Sequence, residues 1–176
     1  MSGHNKWSKI KHKKAATDAK KSATFGKLVR LIQVEAKKAN GNVDSPGLKM
    51  AIEKANKANM PKDNIDRAIK KASEMGDVSP VMFEAYGPSG VGIIITALTD
   101  NNNRTSAEIK HLLSKQGASF GAQGSVSWNF TKNIETGDWE PQTTIDLDDS
   151  DMEKLERIVD AIEEYDDTQD VYTNAS

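Results

Sequence analysis

The residues with the clearest chemical character lie at the start of the chain, where five lysines fall within nine positions and no carboxylate occurs before Asp18. Charges of one sign at this density repel one another and cannot be buried together, so the segment is expected to stay open until a polyanion neutralises it. A lysine ammonium suits phosphate, and an aromatic ring can stack on an unpaired base. This chemistry predicts a nucleic-acid-binding arm whose candidate contact residues are Lys6, Trp7, Lys9, Lys11, His12, Lys13 and Lys14.

Three further cations are candidates for the same role. Lys20 and Lys21 follow the arm on the first predicted helix, and Arg104 ends the segment of residues 100–104 (DNNNR). This segment lies between a predicted strand and a predicted helix, where backbone N–H groups favour anions. Helix capping explains most of it, and contact of Arg104 with phosphate or ribosomal RNA is the alternative.

Other features of the basic half have two interpretations. Trp7 either stacks on an unpaired base or anchors the arm to the helices that follow. Lysines on helical faces are usually only solvated. That is the expectation for Lys27, Lys37, Lys38 and the lysines of residues 49–57.

The charge of the chain is divided along its length. Residues 1–76 carry 18 Lys and Arg against 7 Asp and Glu, net +11, whereas residues 77–176 carry 6 against 19, net −13, which together give the total of −2. Of the 24 basic residues, 20 are lysines. Lysine suits phosphates, whereas bidentate recognition of guanine favours arginine. The basic half is therefore expected to bind nucleic-acid backbones with little base specificity.

No catalytic residue is predicted. The chain has no cysteine and three scattered histidines, which leaves no thiolate nucleophile and no cysteine-ligated zinc. Asp146, Asp148 and Ser150 begin like a calcium loop, but Asp151 and Arg157 stand where that loop needs Gly and Glu. We therefore expect a protein that is not an enzyme, with no metal, cofactor or small-molecule substrate.

Two other classes of function remain as alternatives. A magnesium-dependent nuclease using Asp148, Asp149 and Asp151 is disfavoured, because the helix dipole explains carboxylates at a helix start. A protein-interaction module would dock its acidic half on a basic partner or on the chain's own arm.

The cellular compartment is predicted from the lack of a membrane-spanning segment, a signal peptide and cysteine in the sequence. The longest apolar run, Val91–Leu98, is too short to cross a bilayer, and no apolar segment or cleavage site of a signal peptide follows the basic N-terminus. The lack of cysteine fits a reducing compartment. We expect a cytoplasmic protein without a membrane partner.

Helical periodicity divides the first part of the chain into three segments. The second segment is expected to begin where Ser45 caps and Pro46 takes the first helical position, and the third begins after Pro61. Three short amphipathic helices cannot bury their stripes separately, so they should pack together. The first segment, residues 15–39, has an apolar stripe of Ala19, Ala23, Leu28, Ile32 and Ala36.

The second part of the chain begins with strand periodicity. Residues 83–86 and 91–98 are predicted strands, and the sequence GPSG at 87–90 is expected to be a hairpin turn because it precedes a strand and lacks a following Gly-Lys-Ser/Thr. A helix is expected from Thr105 to Gln116, with a capping box formed by Thr105 and Glu108.

The remaining elements alternate again between strand and helix. Val126, Trp128 and Phe130 predict one face of a strand, and Ile145 with Leu147 predicts a short one. Ser150 is expected to cap a helix, after which Val171 and Tyr172 lie on a terminal strand. The inward stripe of that helix is Met152, Leu155, Val159 and Ile162, packed on the sheet that includes Trp128.

The predicted fold class is α+β. An N-terminal three-helix module is followed by a small α+β sandwich with an antiparallel or mixed sheet and helices on one face. The predicted division is a basic nucleic-acid-binding module with its arm at residues 1–76, a linker at 77–81 and an acidic α+β module at 82–176.

Several motifs in this order resemble the YebC family, which includes the mitochondrial translational activator of cytochrome c oxidase. The resemblance covers residues 2 to about 133 and about 142 to 174. Its motifs are residues 3–21 (GHNKWSKIKHKKAATDAKK), 86–91 (YGPSGV), 98–105 (LTDNNNRT), 124–126 (GSV) and 167–174 (DTQDVYTN).

This resemblance implies a non-enzymatic regulator of gene expression. Family members are described as DNA-binding transcriptional regulators, whereas others are similar to ribosome-associated factors that help translation through consecutive prolines. The family usually inserts a third domain after the strand that corresponds to residues 125–131. Here residues 133–143 fill that gap and are too few for a domain, so a two-domain form is expected.

The residues favour RNA or the ribosome over a specific DNA site. The second and third predicted helices could mimic a helix-turn-helix, but the candidate recognition helix places Asp63 and Asp66 where they would face phosphates. Structured RNA is read largely by shape, which suits a lysine-rich surface. DNA-binding transcriptional regulation stays the alternative.

Overall fold

The computed structural model describes the backbone of residues 18–176 and the side chains of residues 23–176. The arm candidates from Lys6 to Lys14 and the side chains of Lys20 and Lys21 lie outside the described residues. Their roles therefore stay predictions.

Three helices pack together and form the helical module: α1 (Asp18–Lys38), α2 (Pro46–Lys57) and α3 (Lys62–Lys71). Their shared apolar core includes Ile32, Leu48 and Ile65, each 3% exposed or less. The predicted three-helix arrangement is confirmed, because each apolar stripe is buried only where the helices meet.

Two details of the helical module differ from the sequence prediction. Ala23 is exposed, because the residues that α1 contributes to the core begin at Phe25. Val34, which is not part of the predicted stripe, is buried. Ser45 occupies the N-cap of α2, but its buried hydroxyl makes no hydrogen bond. Pro46, with its fixed φ, still starts the helix.

The α+β module is built on a four-stranded sheet in which all paired strands are antiparallel. The strands are β1 (Ser79–Tyr86), β2 (Gly92–Thr99), β3 (Ser119–Gly121) and β6 (Thr168–Thr173). Their order in the sheet is β3-β1-β2-β6. A turn of residues 88–90, with Ser89 and Gly90 at positive φ, joins β1 to β2 and confirms the predicted hairpin.

Helices cover one face of this sheet, as predicted. They are α4 (Asn102–Lys115) and α5 (Asp149–Glu163). The core between helices and sheet includes Ile93, Ile109 and Leu155, all fully buried. The predicted inward stripe of α5 is confirmed, since Met152, Leu155, Val159 and Ile162 are all buried.

A second hairpin covers part of the opposite face. It consists of β4 (Phe130–Lys132) and β5 (Trp139–Pro141), which pair with each other. Ile94 of β2 packs there against Val126 and Phe130. Residues 133–138 form the turn that joins the two strands.

Helices α4 and α5 begin earlier than predicted, because other residues cap them. The side chains of Asn101 and Asp148 accept hydrogen bonds from backbone N–H groups of the first turn, at 3.1 and 2.8 Å. Asn and Asp are preferred N-caps. The capping boxes predicted at Thr105 and Ser150 are therefore wrong, and both residues lie inside their helices.

The strand predicted at residues 126–130 is also wrong. A 3₁₀ turn precedes β4, which starts only at Phe130. Three backbone N–H groups of residues 124–127 donate to the carboxylate of Glu84 and so are not used in a strand ladder. Trp128 is consequently 71% exposed and does not face the core.

Two other strand boundaries differ from prediction. β1 starts at Ser79, inside the predicted linker, and Ser79 pairs with Thr99. Pro80 is tolerated because β3 pairs only with residues 84–86, which leaves this end of β1 at the sheet edge. The strand predicted around Ile145 is reduced to a single parallel bridge with Ala175.

Candidate nucleic-acid interface

Helix α1 follows the arm in the sequence, and the backbone of Lys20 and Lys21 belongs to this helix. Two α1 side chains, Lys27 and Arg30, contact the end of α5 and the turn that follows it. The orientation of α1 relative to the sheet therefore depends on polar contacts.

A buried carboxylate is the centre of these contacts. Asp167, between α5 and β6, is 6% exposed. Its Oδ1 accepts a hydrogen bond from Arg30 at 3.0 Å. Its Oδ2 accepts from Arg104 at 3.2 Å, Thr105 at 2.7 Å and Tyr165 at 3.0 Å. Burial opposes the charge, but these hydrogen bonds outweigh it and hold the pKa of Asp167 below its usual value.

Arg104, a predicted contact residue, is fixed by two carboxylates. Its Nη2 lies 2.7 Å from Oδ1 of Asp100 and 3.2 Å from Oδ2 of Asp167. Hydrogen bonds to Asp100, and then to Asp167 and Tyr165, raise the pKa of Arg104, so the cation is permanent. Its side chain remains 47% exposed. A phosphate contact of Arg104 stays a prediction.

Lys27 is a structural contact, and the expectation that it is only solvated is wrong. Its Nζ donates to the backbone oxygen of Glu163 at 2.5 Å, at the C-terminus of α5, where the helix dipole favours a cation. Burial lowers the pKa of Lys27, while Glu163 partly offsets this effect. Lys37, although exposed, likewise donates to the backbone oxygen of Met75 at 2.6 Å.

The β4–β5 hairpin makes a second contact between the modules. Nζ of Lys54 on α2 lies 3.5 Å from Oδ1 of Asp138, which also accepts a hydrogen bond from the Tyr172 hydroxyl at 3.1 Å. Burial, followed by nearby carboxylates, raises the pKa of Tyr172, so its hydroxyl remains a donor. At the tip, a Cβ added to Gly137 would lie 2.5 Å from Sδ of Met50.

The exposed face of α2 and α3 carries charges of both signs. Asp63, in the first turn of α3, and Asp66 are exposed. In a helix-turn-helix, the N-terminal part of the recognition helix enters the major groove. Carboxylates at that position would be repelled by the phosphates on either side of the groove. The exposed cations of the two helices are Lys49, Lys57, Lys62, Arg67, Lys70 and Lys71.

Sequence reasoning missed the two buried carboxylates that organise the α+β module, Asp167 and Glu84. Asp167 begins the motif at residues 167–174, which was the one available signal. Glu84 is an ordinary residue of a predicted strand, and its partners follow about 40 positions later.

Among the described side chains, those of residues 23–176, no three His, Asp or Glu come together to hold a metal ion. No helix in these residues is long and apolar enough to cross a membrane.

Comparison with known families identifies the class of protein. A model described as the TACO1/YebC protein N-terminal domain matches residues 5–75. A model described as the TACO1/YebC second and third domain matches residues 78–137 and 134–175. The chain belongs to the TACO1/YebC family.

Individual relatives carry regulatory names. A "probable transcriptional regulatory protein" of Fervidobacterium nodosum is 37% identical over 235 aligned positions, which cover 99% of this chain and 93% of the relative. A protein of the same name from Thermotoga maritima is 52% identical over 136 positions, which cover 75% of this chain and 54% of the relative. The chain thus matches about half the length of the second relative.

A solved structure supports the α+β fold. The crystal structure of a conserved hypothetical protein from Aquifex aeolicus superposes with a TM-score of 0.80. It is 30% identical, and the match covers 98% of this chain and 97% of that one.

Proposed function

We propose that this chain is a non-enzymatic, nucleic-acid-binding regulator of gene expression that acts on RNA at the ribosome and assists elongation through difficult stretches. The observation that carries the proposal is the separation of charge. The arm and helical module have a net charge of +11, whereas residues 77–176 have −13. Electrostatic attraction to phosphate therefore acts mainly through residues 1–76.

The kind of cation supports RNA over a specific DNA site. The exposed cations of α2 and α3 are lysines except for Arg67, and Asp63 and Asp66 lie among them. Such a surface suits phosphates and the shape of folded RNA better than the edges of bases in a major groove. The resemblance to translational activators agrees with this assignment.

DNA-binding transcriptional regulation is the second candidate function. The names of the relatives favour it. The pair of helices α2 and α3, joined by residues 58–61, also has the connection length of a helix-turn-helix.

Competition binding separates the two candidates. The full chain bound to a labelled structured RNA is challenged with purified ribosomes, unlabelled structured RNAs and a panel of random DNA duplexes. We expect ribosomes or RNAs to compete best and the duplexes to differ little among themselves. A specific DNA regulator typically favours its site by ~10³-fold or more. One duplex winning by that margin would make transcriptional regulation the better assignment.

A further inference from the structure

Two exposed aromatic side chains meet at one backbone carbonyl, on the sheet face opposite α4 and α5. The Tyr86 hydroxyl donates to the Ser125 oxygen at 3.0 Å, and Nε1 of Trp128 donates to the same oxygen at 2.8 Å. Trp128 is 71% exposed and Tyr86 is 37% exposed. Because both polar ring groups are engaged, what each side chain offers to a partner is ring surface.

A buried carboxylate holds the loop that carries this arrangement. Glu84, which is 3% exposed, accepts hydrogen bonds from the N–H groups of Gly124 at 2.6 Å, Val126 at 3.0 Å and Ser127 at 2.5 Å. Burying a carboxylate is unfavourable unless it is fully hydrogen-bonded. The hydrogen bonds therefore specify one geometry of the loop, and the position of Trp128 is set before any partner binds.

The stretch of sequence that carries Trp128 has no carboxylate of its own, and the carboxylate of Glu84 that contacts it is buried. Residues 116–134, which follow α4, contain Lys132 and no Asp or Glu. Residues 146–176, in contrast, contain 12 Asp and Glu against 2 Lys and Arg. A polyanion would therefore meet less repulsion in this segment than along the C-terminal one.

We propose that Tyr86 and Trp128 form a stacking platform for an unpaired base of single-stranded nucleic acid. The inference rests on the proposed function and adds a second contact in the α+β module, separate from the arm. Every base has a π-face, so stacking tolerates any sequence. Paired bases keep their faces within the stack, so the platform selects single strands over duplexes.

The direct test observes Trp128 in the full chain. Labelling with 5-fluorotryptophan gives fluorine resonances from Trp7, Trp128 and Trp139, and the resonance lost in Trp128→Phe belongs to Trp128. Titrations use oligouridine, oligoadenine, their DNA equivalents and a duplex of equal phosphate number. We expect the Trp128 resonance to shift with the single strands and not with the duplex. The RNA and DNA arms distinguish which sugar the site accepts.

The matching affinity test compares two variants at the same position. Trp128→Leu removes the ring from an exposed position, so circular dichroism should be unchanged, while the affinity for single strands falls about fivefold or more. Trp128→Phe retains an aromatic ring and should bind within about twofold of wild type. The salt dependence should be the same in all three proteins, because the platform makes no phosphate contact.

Three outcomes would contradict the proposals, each in a distinguishable way. If wild type binds nucleic acid but Trp128→Leu binds equally well and the resonance does not move, the platform is wrong and the proposed function stands. A Trp128 resonance that responds to a proline-rich peptide but to no oligonucleotide would assign the platform to a protein partner and overturn the inference. If wild type shows no salt-dependent binding to any nucleic acid, the proposed function itself fails.

Discussion

The guanidinium of Arg30 in α1 lies 3.0 Å from the carboxylate of Asp167, which precedes β6, and this pair joins the arm-bearing helix to the sheet. Asp167 is the more buried partner, with a side chain 8% exposed against 25% for Arg30. The same carboxylate holds Arg104 at the start of α4. One acidic residue thus orients both the first helix and a predicted phosphate contact.

Removing either partner should destabilise the protein to a different extent. Arg30→Met should cost about 1.5–3 kcal/mol, because Asp167 loses one charged donor but retains three others. Asp167→Asn should cost about 3–5 kcal/mol, because two arginines lose their shared negative charge and an amide NH2 donor replaces one acceptor oxygen. Denaturant unfolding measures both values. Arg157→Met, which removes an exposed pair with Glu153, serves as the control and should change stability by less than about 1 kcal/mol.

The stability contributed by Glu84 should depend on pH. Its folded-state pKa is lowered, because three backbone hydrogen bonds outweigh the effect of burial. The contribution is therefore present above the unfolded pKa of about 4.3 and is lost as pH falls through the lower folded value. Glu84→Gln should be less stable than wild type by about 1–3 kcal/mol at pH 7, and the difference should shrink on acidification. A difference independent of pH would show that the lost charge is not responsible; the exposed Glu135→Gln is the control.

The tip of the β4–β5 hairpin should be sensitive to a single methyl group. Gly137 has φ +76 and faces Met50, whereas Gly41 has φ +79 with no heavy atom near its Cβ position. Gly41→Ala should cost about 1–2 kcal/mol for the backbone conformation alone, and Gly137→Ala should cost slightly more, because the flexible Met50 side chain must move away from the added methyl group. In a Met50→Ala background the excess should disappear. If thermal unfolding shows the same loss of stability for both glycine variants, the added methyl group at Gly137 makes no unfavourable contact with Met50 of α2.

The arm should account for most of the salt dependence of nucleic-acid binding. Each phosphate contact contributes a slope of about −0.7 to −0.9 in a plot of log affinity against log salt concentration. Replacing Lys6, Lys9, Lys11, Lys13 and Lys14 with Gln should flatten that slope. The control variant, with the same loss of charge, replaces five exposed lysines of the helical module, Lys49, Lys57, Lys62, Lys70 and Lys71. Because Asp63 and Asp66 lie among these lysines, it should retain more of the slope than the arm variant. An unchanged slope in the arm variant with preserved circular dichroism would refute the arm as the phosphate contact.

Truncation after Asn133 should destroy the α+β module. It removes α5 and β6, whose Met152, Leu155 and Val171 are part of the sheet core. Burial of each large apolar side chain contributes about 1.5–3 kcal/mol. The truncated protein should aggregate or lose cooperative unfolding in calorimetry, while its helical module still binds RNA. Cooperative unfolding at the original temperature would instead make residues 134–176 an acidic appendage.

Much of the fold could be predicted because periodicity is a local property. The spacing of Ile32 and Ala36 follows one helix face, and Pro46 has a backbone conformation that suits a first helical turn whatever surrounds it. The hairpin turn at residues 87–90 is local in the same way. These elements were predicted correctly from neighbours within a few positions.

The errors arose where a distant residue competes for a local group. The alternation of Val126, Trp128 and Phe130 is a valid strand pattern, but Glu84, about 40 positions earlier, takes the N–H groups that a strand would use. Thr105 could cap a helix, yet its hydroxyl bonds to Asp167 from inside α4. Local propensity yields in such cases, because a buried carboxylate must find its donors.

By itself, the sequence determined the division of charge, the three amphipathic helices, the central hairpin and the α+β class, since each depends on composition or on short-range spacing. Only the tertiary structure decided which carboxylates are buried and which rings remain exposed. Arg30 and Asp167 are 137 positions apart, and Tyr86 and Ser125 are 39 apart. Spacing along the chain carries no information on such pairs, because their contact exists only after the sheet and helices have packed.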